Sequence, residues 1–445
     1  MHLTRINYFN LLLALFPVSF IAGNLSININ LALITLSTVI LYNTRLFKIK
    51  LFFLDKVIIF FFLLIIFTGI INSLELADFR RNNNMSPFHS FIKSLLFLKY
   101  LFFYFCIRFL CEKEILNLKF FFISSLLCVA FVSFDLLYQY YFGHDIFGYK
   151  QEGVRKLGGP FDDELIAGSY LQRFSLFAFF TVPLFFKSFS KKHSLGIIFL
   201  LFLIVLLGII LSGNRFPLIL FFFSVFLVLL FEKQIRKYLL MFLISFGFIL
   251  IVVLNFENKD PEDKELLVAQ PGAVKENFNQ FYNEINQIGE AILKGDFNKA
   301  NAPSYLKEFY SFYHTWSLNK FIGGGIKNFR FYCHFRKDSH IHKCNMHPHN
   351  YYLEILTETG VIGLINVLLI FFILIYLSFY KQYFKKNLSQ NSNLLIPFLF
   401  LFLTEIFPIR SSGSFFTTGN AVYLFMLMGI IIGLIRRNHT IENIK

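Results

Sequence analysis

The sequence predicts an all-α polytopic membrane protein with about 12 transmembrane helices and one large periplasmic loop between helices 9 and 10. Hydrophobic residues make up 56% of the 445 residues, a share that soluble domains rarely sustain. They fall into apolar runs of about 20 residues, the length that crosses a bilayer as a helix. Most Lys and Arg lie between these runs, so the net charge of +15 reflects membrane topology, and no nucleic-acid partner is expected.

Each predicted span is an apolar run bounded by polar or basic residues. The runs are residues 8–22, 25–42, 51–71, 91–111, 116–142, 165–186, 194–212, 215–231, 238–254, 350–380, 393–409 and 418–436. The chain then divides into helices 1–9 (residues 1–254), the large loop (255–349), and helices 10–12 with a short cytoplasmic tail (350–445).

The basic residues predict the orientation of the spans, because Lys and Arg are enriched in short cytoplasmic loops. They cluster at residues 45–50, 108–119, 187–192, 233–237, 381–386 and 436–437. With twelve spans, all of these clusters fall on one side of the membrane. Both termini are therefore expected in the cytoplasm, and the large loop on the opposite side.

The large loop is expected to be partly folded rather than a disordered linker. Its apolar residues between Phe278 and Ile292 recur at helical spacing, which predicts one or two helices lying over the membrane surface. Loops of this length usually carry function or disorder, and the sole tryptophan, Trp316, favours packed structure.

The strongest local pattern runs from His347 to Asn350, where the loop becomes a membrane helix. Pro348 favours an extended approach, and Asn350 is a good helix N-cap. His349 would then lie just before a helix N-terminus, whose positive end keeps an imidazole neutral. A neutral imidazole can act as a general base; the alternative interpretation is an interfacial histidine beside a cap.

Residues 347–364 resemble the C-terminal motif shared by O-antigen ligases, O-antigen polymerases and bacterial O-oligosaccharyltransferases. His349 and Asn350 are followed by nine residues and then by Gly360 and Gly363 at the spacing Gly-x-x-Gly. This arrangement is similar to the ligase pattern His-[Asn/Ser/Gln]-x9-Gly-x-x-Gly. The resemblance implies that His349 is catalytic and that His347, Asn350, Gly360 and Gly363 are motif or structural residues.

Two further features bear on this resemblance. Residues 321–329 are similar to the glycine-containing segment that precedes the motif in the family. After the second glycine, the ligase pattern often continues Thr-Thr, whereas this chain has Leu364 and Ile365; this difference bears on the subfamily. The resemblance implies a glycosyltransferase-C-like fold in a bacterial inner membrane.

Two arginines lie on the side of the membrane that is normally depleted of basic residues. Arg155 precedes the sixth predicted span, and Arg215 lies in a tight turn between two spans. Each can be interpreted as an interfacial arginine that reaches the headgroups, or as a diphosphate ligand, since guanidinium pairs bidentately with phosphate. The resemblance implies diphosphate binding by both, with Lys156 and Arg173 as competitors for the role of Arg155.

A cluster of cysteine and histidine residues occupies the end of the large loop. It comprises Cys333, His334, His340, His342, Cys344, His347 and His349. The spacings match no regular zinc template, so a Cys333–Cys344 disulfide is preferred over free thiols, and free thiols over zinc. The acidic residues 162–164 are interpreted as a solvated helix start, with a cation site as the alternative.

The resemblance implies a metal-independent, inverting O-antigen ligase-like glycosyltransferase without a cofactor. Its donor would be a glycan linked to polyprenyl (undecaprenyl) diphosphate, and its acceptor a hydroxyl of lipid A–core at the periplasmic face. A polysaccharide polymerase of the same superfamily would instead use another lipid-linked glycan as acceptor, and an O-oligosaccharyltransferase would use a protein. Membrane lipids are the other expected partners.

A transporter or flippase for lipid-linked glycan is the alternative from another class. It predicts charged residues deep in several spans and repeat symmetry between the halves of the chain. Few intramembrane charges are expected beyond Lys99, and no repeat is evident. A non-catalytic membrane scaffold is a third possibility. No Walker A motif or dinucleotide fingerprint is visible, which argues against a nucleotide-driven pump.

Overall fold

The computed structural model describes residues 2–75, 88–150, 157–162, 164–186, 190–232, 236, 247, 282–283, 286–287, 289–290, 293, 304–336, 344, 348, 350–380, 394–408 and 413–442. Within these residues the regular secondary structure is helical, apart from one isolated β-bridge between His144 and Lys150.

Thirteen α-helices follow one another in the described part of the chain. They are α1 (His2–Ile21), α2 (Asn24–Leu46), α3 (Phe53–Glu75), α4 (His89–Glu112), α5 (Leu118–Phe142), α6 (Ala167–Phe185), α7 (Lys191–Leu211), α8 (Arg215–Phe231), α9 (Ser304–Trp316), α10 (Phe329–Tyr332), α11 (Tyr351–Phe379), α12 (Leu395–Glu405) and α13 (Thr418–Glu442). Short 3-10 turns occur at Gly159–Phe161 and Cys333–Phe335.

Eleven of the twelve predicted spans coincide with helices in the described part of the chain. Seven of these helices are long and apolar enough to cross a membrane: α2, α3, α4, α5, α7, α11 and α13. Three shorter apolar helices occur at Ile6–Ile21, Arg215–Phe231 and Leu395–Glu405. The predicted span 238–254 and most of the stretch 278–292 lie outside the described residues. The chain is thus a multi-pass helical membrane protein, while the total of twelve spans stays a prediction.

The described residues form two compact units. The first comprises Met1–Asn30, Ile115–Asn283 and Gln390–Thr404, and the second comprises Leu31–Glu114, Glu284–Ser389 and Glu405–Lys445. The motif helix α11 belongs to the second unit, and the turn that holds Arg215 belongs to the first.

The first unit is held together by aromatic packing between its helices. The ring centroids of Phe121 and Phe177 lie 4.8 Å apart, as do those of Phe177 and Phe398. Gly208 allows α7 to approach its neighbours, because a Cβ there would lie 2.9 Å from Leu171 Cδ1. Large aromatic rings and a small residue at the helix contact together give the close packing that membrane helices need.

The second unit is built around the contact between α4 and α13. A Cβ atom on Gly433 would lie 3.0 Å from the carbonyl oxygen of Arg108, so the absence of a side chain lets the two backbones approach. Arg108 is fully buried, with its Nη1 atom 2.5 Å from Asp55 Oδ2, and Tyr104 donates a hydrogen bond to Asp55 Oδ1 (2.8 Å). The pair is buried but also hydrogen-bonded, as a charge in an apolar environment requires.

The expectation of few charged residues within the spans beyond Lys99 is wrong. Among the described residues, buried charged side chains occur on six helices: Asp55, Arg108, Asp135, Arg173, Glu354, Glu358 and Glu405. Each lies within about two turns of a helix end, where neighbouring chain segments can pair with it. An apolar run of about 20 residues can contain a charged residue and still read as a membrane span. Run length therefore does not reveal these buried charges.

Candidate active site

The structure describes some of the predicted site residues and not others. Arg155, His347 and His349 lie outside the described residues. Arg215 is described in the first unit. Asn350, Gly360 and Gly363 are brought together on the first half of α11 in the second unit. The described site residues therefore lie in two places, α11 in the second unit and the turn of Arg215 in the first.

Asn350 is the N-cap of α11, as the sequence predicted. It has an extended backbone (φ −140°, ψ 121°), and its Oδ1 accepts a hydrogen bond from Leu353 N (3.0 Å). Its Nδ2 donates to the carbonyl oxygen of Pro408 (2.7 Å). The side chain thus satisfies one free backbone N–H of the helix start and also attaches that start to residues 405–408.

The first turn of α11 is held by two tyrosines as well. Tyr351 is buried and donates a hydrogen bond to Glu405 Oε1 (2.9 Å), and Tyr352 donates to the carbonyl oxygen of Ile406. With Asn350, three consecutive residues fix the helix start.

α11 is interrupted at Gly360, which has φ +68° and ψ −172°. The break frees backbone groups on both sides, and the stretch from Lys320 to Gly325 pairs with them. Gly324 N and Gly325 N donate to the carbonyl oxygens of Thr357 (2.9 Å) and Glu358 (2.8 Å). On the other side of the break, Val361 N donates to the carbonyl oxygen of Lys320 (2.9 Å). A broken membrane helix is thereby satisfied by a nearby segment of chain.

This pairing explains why glycine occupies both segments. A Cβ on Gly360 would lie 2.1 Å from the carbonyl oxygen of Phe321, and one on Gly323 would lie 2.5 Å from the backbone carbon of Glu358. Gly363 leaves room for the side chain of Thr359, whose Oγ1 would otherwise lie 1.9 Å from a Cβ. Gly360 and Gly323 therefore serve the contact between α11 and residues 320–325, whereas Gly363 makes room for a side chain of α11 itself.

A buried charged network lies beside this contact. Lys327 donates from its backbone N to Glu358 Oε2 (2.9 Å) and from Nζ to Ser414 Oγ (2.7 Å). Its Nζ is also 4.0 Å from Glu354 Oε1. Ser414 Oγ donates to Glu354 Oε1, and the backbone N of Phe415 donates to Glu354 Oε2 (2.6 Å). One ammonium thus faces two carboxylates that are almost fully buried.

Sequence analysis did not identify Lys327, Glu354, Glu358 or Ser414. The available signal was the pair of glutamates at positions 354 and 358, which are one turn apart in an otherwise apolar span. Ionisable residues in such a span usually mark a partner or a function. Lys327 and Ser414 carried no such signal, because their contact with the glutamates depends on chain segments distant in sequence.

The preferred Cys333–Cys344 disulfide is present, with a Cα–Cα distance of 5.6 Å. Both cysteines are buried in an apolar cluster with Phe312 and Phe329, whose stacked rings have centroids 3.6 Å apart. Because both sulfur atoms are bonded to each other, they are not zinc ligands. The bond holds Cys344 against the described helical part of the large loop.

Arg215 is the first residue of α8. The turn before it is tight: Gly213 has φ +64°, and Asn214 Nδ2 donates to the carbonyl oxygen of Leu165 (3.0 Å). A Cβ on Gly168 would lie 2.4 Å from Ser212 Oγ, so the turn lies directly against the start of α6. A cation at the positive end of a helix is unfavourable on its own. The guanidinium of Arg215 and the N-terminus of α8 are both positive, so together they favour an anion at this point.

The chain following Arg155 is anchored to the end of α5. Gly159 N donates to Gln139 Oε1 (2.9 Å), and Leu157 is buried. The neighbouring hairpin is attached to the same helix, since Ile146 N donates to Asp135 Oδ1 (2.8 Å). The competitor Arg173 is buried on α6.

Residues 200–368 match the family model described as "O-Antigen ligase". The match covers less than half of the 445-residue chain. The matched region contains Arg215, the charged residues Lys327, Glu354 and Glu358, and the whole motif from His347 to Gly363. Arg155 lies before it and Ser414 after it. No curated protein matches the chain significantly. Over this region the chain is similar to membrane glycosyltransferases of the ligase or polymerase type.

Proposed function

We propose that this chain transfers a glycan from polyprenyl diphosphate to the hydroxyl of lipid A–core at the periplasmic face of the bacterial inner membrane. The observation that carries the proposal is the start of α11, where Asn350 caps a broken helix that contains the family motif. Two buried glutamates and three chain segments hold this helix start in place, which is the preorganisation that a catalytic group requires.

His349 is proposed as the general base. It immediately precedes the N-cap in the chain, and the positive end of a helix favours a neutral imidazole. A neutral imidazole can accept the proton of the acceptor hydroxyl as that oxygen attacks the anomeric carbon. His347 is proposed to support the motif rather than to take part in proton transfer.

Arg215 and Arg155 are proposed to bind the diphosphate of the donor. The placement of Arg215 at the first position of α8 supports this role, because the guanidinium and the helix N-terminus favour an anion at the same point. Charge develops on the diphosphate as its bond to the sugar breaks, and the two arginines would stabilise it. No metal ion is required in this scheme.

The proposed reaction is a single displacement with inversion. The acceptor oxygen forms a bond to the anomeric carbon, and the bond between that carbon and the diphosphate oxygen breaks. The acceptor proton passes to His349, and polyprenyl diphosphate leaves with the electron pair of the broken bond. Because the donor's lipid is confined to the bilayer, the bond that breaks lies at the membrane surface, close to helix ends.

The ligase and polymerase proposals differ only in the acceptor, and a transfer assay with the purified protein distinguishes them. Wild-type protein is incubated with lipid-linked donor and either lipid A–core or a second lipid-linked repeat. We expect a lipid A–core product with inverted anomeric configuration, and no requirement for divalent ions in the presence of a chelator. Extension of the lipid-linked repeat alone would establish the polymerase instead, and the absence of any covalent product would refute glycosyl transfer.

A further inference from the structure

One face of helix α9 is packed against the rest of the second unit. Ser311, Phe312 and Thr315 on this face are buried. Phe312 stacks on Phe329, and Thr357 Oγ1 on α11 donates a hydrogen bond to the carbonyl oxygen of Phe312 (3.3 Å). The helix is therefore fixed against the first two turns of α11, and its opposite face points away from the unit.

That opposite face consists largely of aromatic rings in mutual contact. We define the aromatic face of α9 as Phe309, Tyr310, Tyr313, His314 and Trp316. The ring centroids of Tyr310 and His314 are 4.0 Å apart. The ring centroid of Tyr313 lies 5.5 Å from that of His314 and 5.5 Å from that of Trp316. Tyr313 is 54% exposed and Phe309 is 39% exposed. An exposed apolar surface of this kind usually marks an interaction site.

The position of α9 along α11 indicates what this surface contacts. α11 has 29 residues and is about 43 Å long at 1.5 Å per residue, whereas the hydrocarbon core of a bilayer is about 30 Å thick. Residues 351–361 are buried or half-buried, and exposed apolar side chains begin at Ile362. α9 contacts α11 at Thr357, so it lies at the edge of the lipid-facing surface rather than far from it.

The residues beside the aromatic face fit a lipid surface. Lys307 lies on α9 itself, and Lys320 follows it closely in the chain, so two lysines flank the aromatic face. Leu318 and Phe321 are 41% and 72% exposed and extend the apolar surface. Aromatic rings with flanking lysines are typical of helices that lie in the membrane–water interface, and exposed Leu and Phe suit acyl chains better than a hydroxyl-rich glycan.

We propose that the aromatic face of α9 lies in the membrane–water interface and binds the phospholipids of the bilayer that α11 spans. The contact sets the depth of α9, and through the bond from Thr357 it sets the depth of the first turns of α11. It also sets the position of residues 320–325, which follow α9 and fill the break at Gly360. The inference does not depend on the proposed glycosyl transfer.

Trp316 is the sole tryptophan of the chain, so its fluorescence reports on this face alone. The full-length protein is reconstituted into nanodiscs of phosphatidylethanolamine and phosphatidylglycerol with acyl chains brominated near the headgroup or near the methyl end. We expect at least about twofold stronger quenching by the shallow bromine than by the deep one, and weak quenching by aqueous iodide. Trp316→Phe provides the background signal.

A pair of exposed substitutions tests the role of the face itself. Phe309→Ser combined with Tyr313→Ser is expected to reduce quenching by the brominated lipids at least about twofold, while Ser317→Ala, at an exposed non-aromatic position of the same region, leaves it unchanged. Free access of iodide with no quenching by brominated lipids would overturn the proposal. So would iodide access that is lost only when a lipid-linked glycan is added, since the surface would then bind glycan.

Discussion

At the scale of single residues, two backbone conformations define the contact between α11 and residues 320–327. Gly360 has φ +68° and Lys327 has φ +55°. Residues other than glycine rarely adopt this left-handed backbone conformation. Lys327 is held there by the bond from its backbone N to Glu358. Strain of this kind persists only where the surrounding structure enforces it, and it concentrates at functional sites.

Gly360→Ala is expected to destabilise the protein and to lower its activity. The new Cβ would meet the carbonyl oxygen of Phe321 and would be strained by the positive φ, at a cost of about 1–3 kcal/mol from strain alone. Gly196→Ala is the matched control, because no atom lies within 4 Å of its would-be Cβ. Thermal unfolding in detergent measures both, and an equal effect of the two substitutions would contradict the assignment.

Lys327→Met is expected to lower the unfolding temperature, because it leaves Glu354 and Glu358 buried without their cation. Removing one partner of a buried ion pair costs about 3–5 kcal/mol of unfolding free energy. Because the side chain of Lys327 is one-third exposed, solvent screens the interaction, and we expect a loss at or below the lower end of this range. Adding Glu358→Gln restores the charge balance and should recover part of the loss. A double variant less stable than Lys327→Met alone would show that charge balance is not the reason.

At the scale of elements, the start and the break of α11 differ in how far sequence predicts them. Pro348 and Asn350 predicted the start, because capping depends on residues adjacent in the chain. The break at Gly360 was not predicted, since the apolar run from 350 to 380 continues through it. Its backbone partners come from residues 320–325, and such long-range pairing leaves no periodic signal.

Asn350 has two functions that two substitutions can separate. Asn350→Ala removes the cap of α11 and the bond to Pro408, and it is expected to cost about 1 kcal/mol of stability. Asn350→Asp keeps an oxygen that caps Leu353 N but loses the donor to Pro408. Thermal unfolding should therefore rank wild type first, Asn350→Asp second and Asn350→Ala last. Equal stability of the two variants would mean that the cap contributes little.

At the scale of the whole molecule, sequence predicted the positions of the helices better than their chemistry. Run length locates an apolar helix because the bilayer sets that length, and eleven predicted spans coincide with helices. The pairing of buried charges such as Asp55 with Arg108 was not predictable, because it depends on which helices meet. Arg155, His347 and His349 keep the roles assigned from the motif as proposals.

The predicted topology can be tested with reporter fusions to the full-length chain. Alkaline phosphatase inserted near residue 300 should be active, and green fluorescent protein fused after Lys445 should fluoresce, because the basic clusters place the loop outside and the C-terminus in the cytoplasm. The reverse pattern would mean that the orientation is inverted. If both reporters lay on one side of the membrane, the three predicted spans between the large loop and the C-terminus would be contradicted.

The transfer rate of purified variants with lipid-linked donor and lipid A–core tests the proposed catalysis most directly. His349→Ala is expected to reduce turnover about 10²–10⁴-fold, and Arg215→Ala about 10²–10³-fold. His334→Ala and Arg330→Ala, at exposed positions near the same end of the second unit, should retain wild-type turnover. Full turnover by His349→Ala or Arg215→Ala would contradict the account.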